Sequence, residues 1–254
     1  MKKSANLFNK LFEETKDNQY KWFESNQLNF IGSVYGKDSK NFDKAIEYKY
    51  KSIEILQTLP NQESEVASRL TSIGIQYFLQ YNFLEAERTG NKSLEIYRKL
   101  NNKQGQVGVL RQFAFMYYNL NNKAKVAEYV KQILEISQSP DYVSDWKKDR
   151  DLSKIDPKDF DIYDQLFTAL FEWSKNDDIA FAYRMVEDYE KSLEFYKKAL
   201  EITPRLRNEN STKLTINSEN NLHRWLQENG ISGFDPFDLY SQAPRFRNIV
   251  YSHN

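Results

Sequence analysis

The sequence has no cysteine, which excludes a disulfide framework and thiolate chemistry. Glycine and proline are scarce, at 8 and 6 of 254 residues, which favours helices over a turn-rich β fold. Only two histidines occur, His223 and His253, which argues against a multi-histidine metal site within one chain. There is no G-x-x-x-x-G-K-[ST] phosphate loop; Gly105 and Gly108 form a lone glycine pair that reads as a turn at a helix start. No run approaches the roughly 20 apolar residues that span a bilayer. Met1-Lys2-Lys3 is followed by SANLFNKLFEETKDN, which has no apolar core, so no export leader and a cytoplasmic location are expected. Charge excess is missing too: 36 basic residues balance 36 acidic ones, and no basic stripe offers nucleic acid a surface. Carboxylates are plentiful, but no spacing singles out an acid/base pair; Asp235 and Asp238 read as turn caps.

What is present is aromatic and periodic. Tyr and Phe number 17 each, and they recur in register. Four stretches share one pattern: Ile31–Ile55, Ile73–Ile96, Phe113–Ile136 and Ile179–Ile202. Each opens on an apolar residue and a small one (Gly32, Gly74, Ala114, Ala180). Three residues on stands a tyrosine: Tyr35, Tyr77, Tyr117 or Tyr183. A polar turn follows at Asn41, Asn82, Asn122 or Asp188, and then a second amphipathic segment. The spacing predicts two antiparallel helices per copy. The small residue permits close approach, and the Asn or Asp caps the second helix. In the last copy Leu193, Tyr196, Ala199 and Leu200 fall at helical spacing, and Pro204 is expected to stop the helix. One such pair cannot bury its apolar face alone, whereas stacked pairs can.

The pattern resembles the tetratricopeptide repeat. It does so most closely at Ile179, Ala180, Tyr183, Asp188, Tyr189, Tyr196, Ala199 and Pro204. Ser192 stands where that family has a small Ala, and Lys123 and Val126 make the third copy degenerate. The copies are spaced 42 and 40 residues apart (Gly32 to Gly74 to Ala114), against about 34 in the basic unit. That is similar to a long-repeat subclass, with Lys99–Gln106 as the joining segment. The resemblance implies an all-α, right-handed superhelical stack of antiparallel helix pairs.

Residues 1–204 are read as this repeat domain, and residues 5–16 as a second helix without its first, either a cap or part of a longer array. Trp22 and Phe30 fall in the first helix of the next copy. Residues 137–160 carry charges and two prolines without a period and read as an insertion or loop. From Phe160 the helical period returns, as an extra helix or a lengthened first helix. Residues 205–254 read as a linker, a short helix capped by Ser218, and an extension. The extension either docks as a cap or, since WLQENGISGFDPFDLYSQ is similar to the opening of some polysaccharide-biosynthesis toroid proteins, begins a second domain.

In the resembled family, first helices line a groove that binds peptides. Matched by position, the groove residues here are Asn29, Ser33, Thr71, Ile75, Phe78, Arg111, Phe115, Tyr118, Phe181 and Arg184, with Gly36 and Asp177 in the same rows. Aromatics with Arg suit a peptide with apolar anchors and an acid. The family's chaperone-tail clamp would fall on Asn29, Ser33, Ser72, Gly108 and Gln112; four of these depart from it, so chaperone C-terminal tails are not expected as partners. The resulting expectation is a non-enzymatic protein- or peptide-binding scaffold, without cofactor or metal. The alternatives are a module attached to a glycan-biosynthesis enzyme and a peptide-sensing regulator.

Overall fold

The computed structural model describes residues 2–38, 40–140, 142 and 160–206. Among them are nine α-helices and no strand: α1 (Lys2–Thr15), α2 (Asn18–Asp38), α3 (Phe42–Leu56), α4 (Glu63–Leu79), α5 (Phe83–Lys99), α6 (Lys103–Asn119), α7 (Lys123–Ser137), α8 (Phe160–Met185) and α9 (Tyr189–Leu206). The fold is all-α and solenoid-like, with successive helices packed in adjacent pairs. Two compact units divide the chain, Met1–Met116 and Tyr117–Asn254. In the first, α1 packs on α2, α2 on α3, α3 on α4 and α4 on α5; in the second, α7 packs on α8 and α8 on α9.

The turns within each helix pair are built alike. In α4–α5, Tyr81 takes a positive φ of 61° and its amide donates to the Phe78 carbonyl at 2.9 Å. The Asn82 amide then donates to the Tyr77 carbonyl at 2.9 Å. This is a Schellman turn, which satisfies carbonyls that a helix end leaves orphaned. Asn121–Asn122 and Glu187–Asp188 repeat it, with φ of 52° and 64° at the first residue. So does Asn101–Asn102, which joins α5 to α6. The second residue of each turn is also the next helix's cap: Asn82 Oδ1 accepts from the Glu85 amide, Asn122 from Lys125, Asp188 from Lys191 and Asn102 from Gly105. At Lys40–Asn41 the closing hydrogen bond spans one residue more, the Asn41 amide donating to the Tyr35 carbonyl at 3.1 Å.

A clasp holds three of these pairs. The tyrosine whose carbonyl closes the turn stacks its ring on an aromatic seven residues past the cap: Tyr35 on Tyr48, Tyr117 on Tyr129, Tyr183 on Phe195, with centroids 5.5, 5.7 and 5.8 Å apart. The lysine three residues past the cap lays its ammonium over the same tyrosine: Lys44, Lys125 and Lys191, at 5.3, 5.0 and 5.1 Å. The second pair has Thr89 and Glu85 at these positions and no such clasp. The small residues act as the sequence predicts. A Cβ on Gly32 would meet the Ala45 carbonyl at 2.8 Å, and one on Gly74 the Ala86 carbonyl at 3.4 Å. Between pairs the joint is apolar: Ile46, Ile53 and Leu56 of α3 pack on Val66, Leu70 and Ile73 of α4. Each such side chain contributes about 1.5–3 kcal/mol when fully buried.

Several expectations change. Gly105 and Gly108 lie inside α6, not in a turn; Gly105 is small because a Cβ there would overlap the Tyr97 ring. Pro204 does not stop its helix, since α9 continues to Leu206. Proline's φ is helical and it removes one donor, so two further residues can follow near a helix end. Leu193 is 41% exposed and stands outside the buried row of Tyr196, Ala199 and Ile202. Ser192, in place of a small Ala, donates to the Ala180 carbonyl at 2.9 Å and ties α9 to α8. The segment from Phe160 is the lengthened first helix, one continuous α8 of 26 residues. Residues 143–159 and 207–254, and so the insertion's interior and the tail, lie outside the described residues. The start of the insertion is anchored: Tyr142 is buried and donates a short hydrogen bond to Asp178 of α8.

The turns make a two-sided prediction. Glu187→Gly removes the strain of a side chain at positive φ and should raise the unfolding free energy by about 1 kcal/mol. Asn122→Ala removes a cap and should lower it by about 1 kcal/mol. Urea denaturation followed by far-UV circular dichroism measures both, and two shifts of the same sign would contradict this account of the turns.

Candidate functional site

The groove residues named from sequence fall into two sets, one in each unit. In the first unit, Asn29 and Ser33 lie on α2, Thr71, Ile75 and Phe78 on α4, and Arg111 and Phe115 on α6. Ser33 is exposed, and Asn29, Thr71, Ile75, Arg111 and Phe115 are half-buried. Phe78 is only 8% exposed and meets Phe115 edge-on at 5.9 Å, so α4 and α6 are joined along this face by an aromatic seam. The Thr71 hydroxyl is engaged inside its own helix pair, with Ser93 Oγ at 2.7 Å and the Ala67 carbonyl at 2.9 Å. In the second unit, Tyr118 is exposed and Arg184 half-buried, while Phe181 is 2% exposed and packs inside.

The structure adds residues that the periodicity did not single out. Lys49 of α3 is 1% exposed. Its Nζ donates to Ser33 Oγ at 3.0 Å and to Asn29 Oδ1 at 3.3 Å, both on α2. The Ser33 hydroxyl in turn donates to the Asn29 carbonyl at 3.1 Å, so its lone pairs are left for the ammonium. No carboxylate among the described residues pairs with Lys49. Burial lowers its pKa to about 8, and the nearby Arg69 guanidinium pushes in the same direction. Arg69 of α4 is itself 8% exposed. It donates to Asn26 Oδ1 of α2 at 2.6 Å and pairs with Glu65 at 3.1 Å, and its Nε is buried without a partner. Two turns further along α4, the buried Gln76 Oε1 also lacks a partner, and a Cβ on Gly36 of α2 would overlap that amide.

A signal for Lys49 existed in the register. It stands eight residues after the cap, where the other copies carry Gly90, Val130 and Tyr196. A cation at a core position of the second helix breaks the pattern. Arg69 and Asn26 carry no such mark, because their meeting depends on how α2 and α4 lie side by side.

Among the described residues no group of three or more His, Cys, Asp or Glu could hold a metal ion, and no helix is long and apolar enough to cross a membrane. His223, His253, Asp235 and Asp238 lie outside the described residues. No family model matches the chain. No curated protein matches it in sequence. Among solved structures it is similar to BtubC (BKLC) from P. vanneervenii, at a TM-score of 0.47 and 15% identity, over 82% of this chain and 74% of that one.

The buried ammonium makes a stability prediction. Below pH 8 Lys49 is charged in both the folded and the unfolded chain, and the folded state bears the burial penalty. From pH 8 to the ordinary lysine range the unfolded chain holds more protons, so stability rises with pH. Lys49→Met should therefore stabilise the protein at pH 7 by about 1–3 kcal/mol. That advantage should shrink between pH 8 and about 10. Urea melts across pH measure the gap; a Met variant less stable than the parent at pH 7 would refute the penalty.

Proposed function

We propose that the chain is a tetratricopeptide-type scaffold that binds a protein or peptide on the face formed by its first helices, and that it does so without catalysing a reaction. The observation that carries this reading is the side-by-side placement of successive first helices in the first unit. Arg69 bridges α4 to Asn26 of α2, and Phe78 meets Phe115 across α4 and α6. This brings half-buried Asn29, Ile75 and Arg111 onto one continuous set of neighbouring helices. A face of this kind offers apolar area together with polar groups already held in place, which lowers the ordering cost of binding. The repeated turns, aromatic clasps and cap residues support the family likeness, since they recur at the positions that the repeat pattern assigns.

Phe78 is unsuited to testing the face, because truncating a buried Phe costs about 3–5 kcal/mol of stability. Ile75→Asp and Arg111→Glu are the better probes. Partners captured by the intact chain from its source cells, quantified by mass spectrometry, should fall by about tenfold or more with either variant. A mock change at exposed Glu54 should leave them unaltered. Equal capture by all variants, with unchanged helicity, would reject this face as the binding surface.

A further inference from the structure

We propose that the junction of α2, α3 and α4 is an anion site that takes one carboxylate, supplied by an acidic side chain or the chain end of a bound peptide. Lys49 is its central donor, and Ser33 and Asn29 form its outer edge. The choice of a peptide as the source rests on the binding reading above; the site itself rests on the geometry.

The argument begins with hydrogen-bond capacity. An ammonium has three donors and no acceptor. Two Lys49 donors meet neutral oxygens, one of them at a long 3.3 Å, and the third has no protein acceptor among the described residues. Burying a cation with neutral partners alone is unfavourable, and an anion beside it reverses the sign of that term. Ser33 is exposed and its Oγ lies 3.0 Å from Nζ, so the charge is one hydroxyl below the surface.

Charge selects the ligand. Lys49 and Arg69 are two cations against the single Glu65 carboxylate that pairs with Arg69. The junction therefore keeps one uncompensated positive charge, which a monoanion neutralises and a phosphate dianion would overshoot. Planar carboxylates also match the arrangement chemically: one oxygen takes the third Nζ hydrogen while the Ser33 hydroxyl rotates to the other. Asn29 and Ser33 stand at first-helix clamp positions, but the charged donor does not: Lys49 comes from the second helix of its pair. Gly90, Val130 and Tyr196 hold its place in the other copies, so the first pair alone carries this charge.

Sodium acetate, the smallest carboxylate probe, tests the site without any partner. It would be titrated into labelled full-length protein at pH 7, with sodium chloride at matched ionic strength as reference. The expected result is saturable NMR shifts at the Asn29 and Ser33 amides and the Lys49 side chain. They should be lost in Lys49→Met and Lys49→Gln and kept in Lys51→Met, which alters an exposed lysine of the same helix. Shifts that chloride reproduces, or that persist without the Lys49 charge, would overturn the proposal.

Short blocked peptides then identify the source: Gly-Asp-Gly with an amidated end, Gly-Gly-Gly with a free carboxyl, and Gly-Asn-Gly with an amidated end. One of the two carboxylate peptides should bind about tenfold more tightly than the Asn peptide. Equal affinity for all three would overturn the carboxylate assignment. If acetate binds at Lys49 while Ile75→Asp leaves partner capture intact, the site stands and the binding-face reading falls.

Discussion

The turn between paired helices is the constraint on which the rest depends. Three residues separate α4 from α5, α6 from α7 and α8 from α9, and the same number separates α5 from α6. One of the three adopts positive φ and the next both closes the first helix and caps the second. With so short a link, the second helix must run back along the first, and its apolar stripe is then presented to the following pair. The tyrosine clasp acts on the same residues. The residue that gives its carbonyl to the turn also gives its ring to the partner helix, so turn closure and side-chain packing reinforce each other.

Much of this was legible because it is local. An Asn or Asp cap, a tyrosine five or six residues before it and a small residue three before that are chemical requirements of one helix pair, so they recur in the letters. The positive-φ residues were not legible: Lys40, Tyr81 and Glu187 are not the glycine or asparagine that such a site prefers, and only the backbone reveals them. Pro204 misled for a related reason, since its effect depends on how much helix remains to be built after it. The face residues were partly legible. Spacing placed them on first helices, but spacing alone does not separate Phe78 and Phe181, which fill the interior, from Ile75 and Phe115, which stay half-open.

Lys49 shows how a repeat scaffold acquires a local chemical distinction. Its equivalents are a glycine, a valine and a tyrosine, so the fold requires nothing polar there. In YEKSLEFYKK of the last copy and EYKYKSIEI of the first, lysines alternate with aromatics in the same visual rhythm. Only the register against the cap shows that Lys49 points inward while Lys44 and Lys51 point outward over Tyr35 and Tyr48. The interior of the first pair is correspondingly polar: beyond the lysine, Ser25 and Ser52 hydrogen-bond at 2.8 Å across α2 and α3. The apolar cluster lies on the same face of α3, where Ile46, Ile53 and Leu56 pack against α4. Lys49 lies one turn from both Ile46 and Ile53, so the buried cation borders the residues that hold α3 on α4.

On the proposed binding reading, the two kinds of contact would do different work. Half-buried Ile75 and Phe115 supply area, which is tolerant of sequence and of sliding along the face. A single fixed charge at Lys49 is intolerant of sliding, because moving an acid by one residue of extended chain, about 3.3 Å, forfeits the hydrogen bond. Register would therefore be set at the first pair and affinity accumulated over the next two. The stability lost to the lysine in the free protein would return on binding, since the same burial that weakens the unpaired ammonium strengthens its attraction to an anion. In a chain of recurring helix pairs, the exception at Lys49 would distinguish one pair of that face from the others with one side chain.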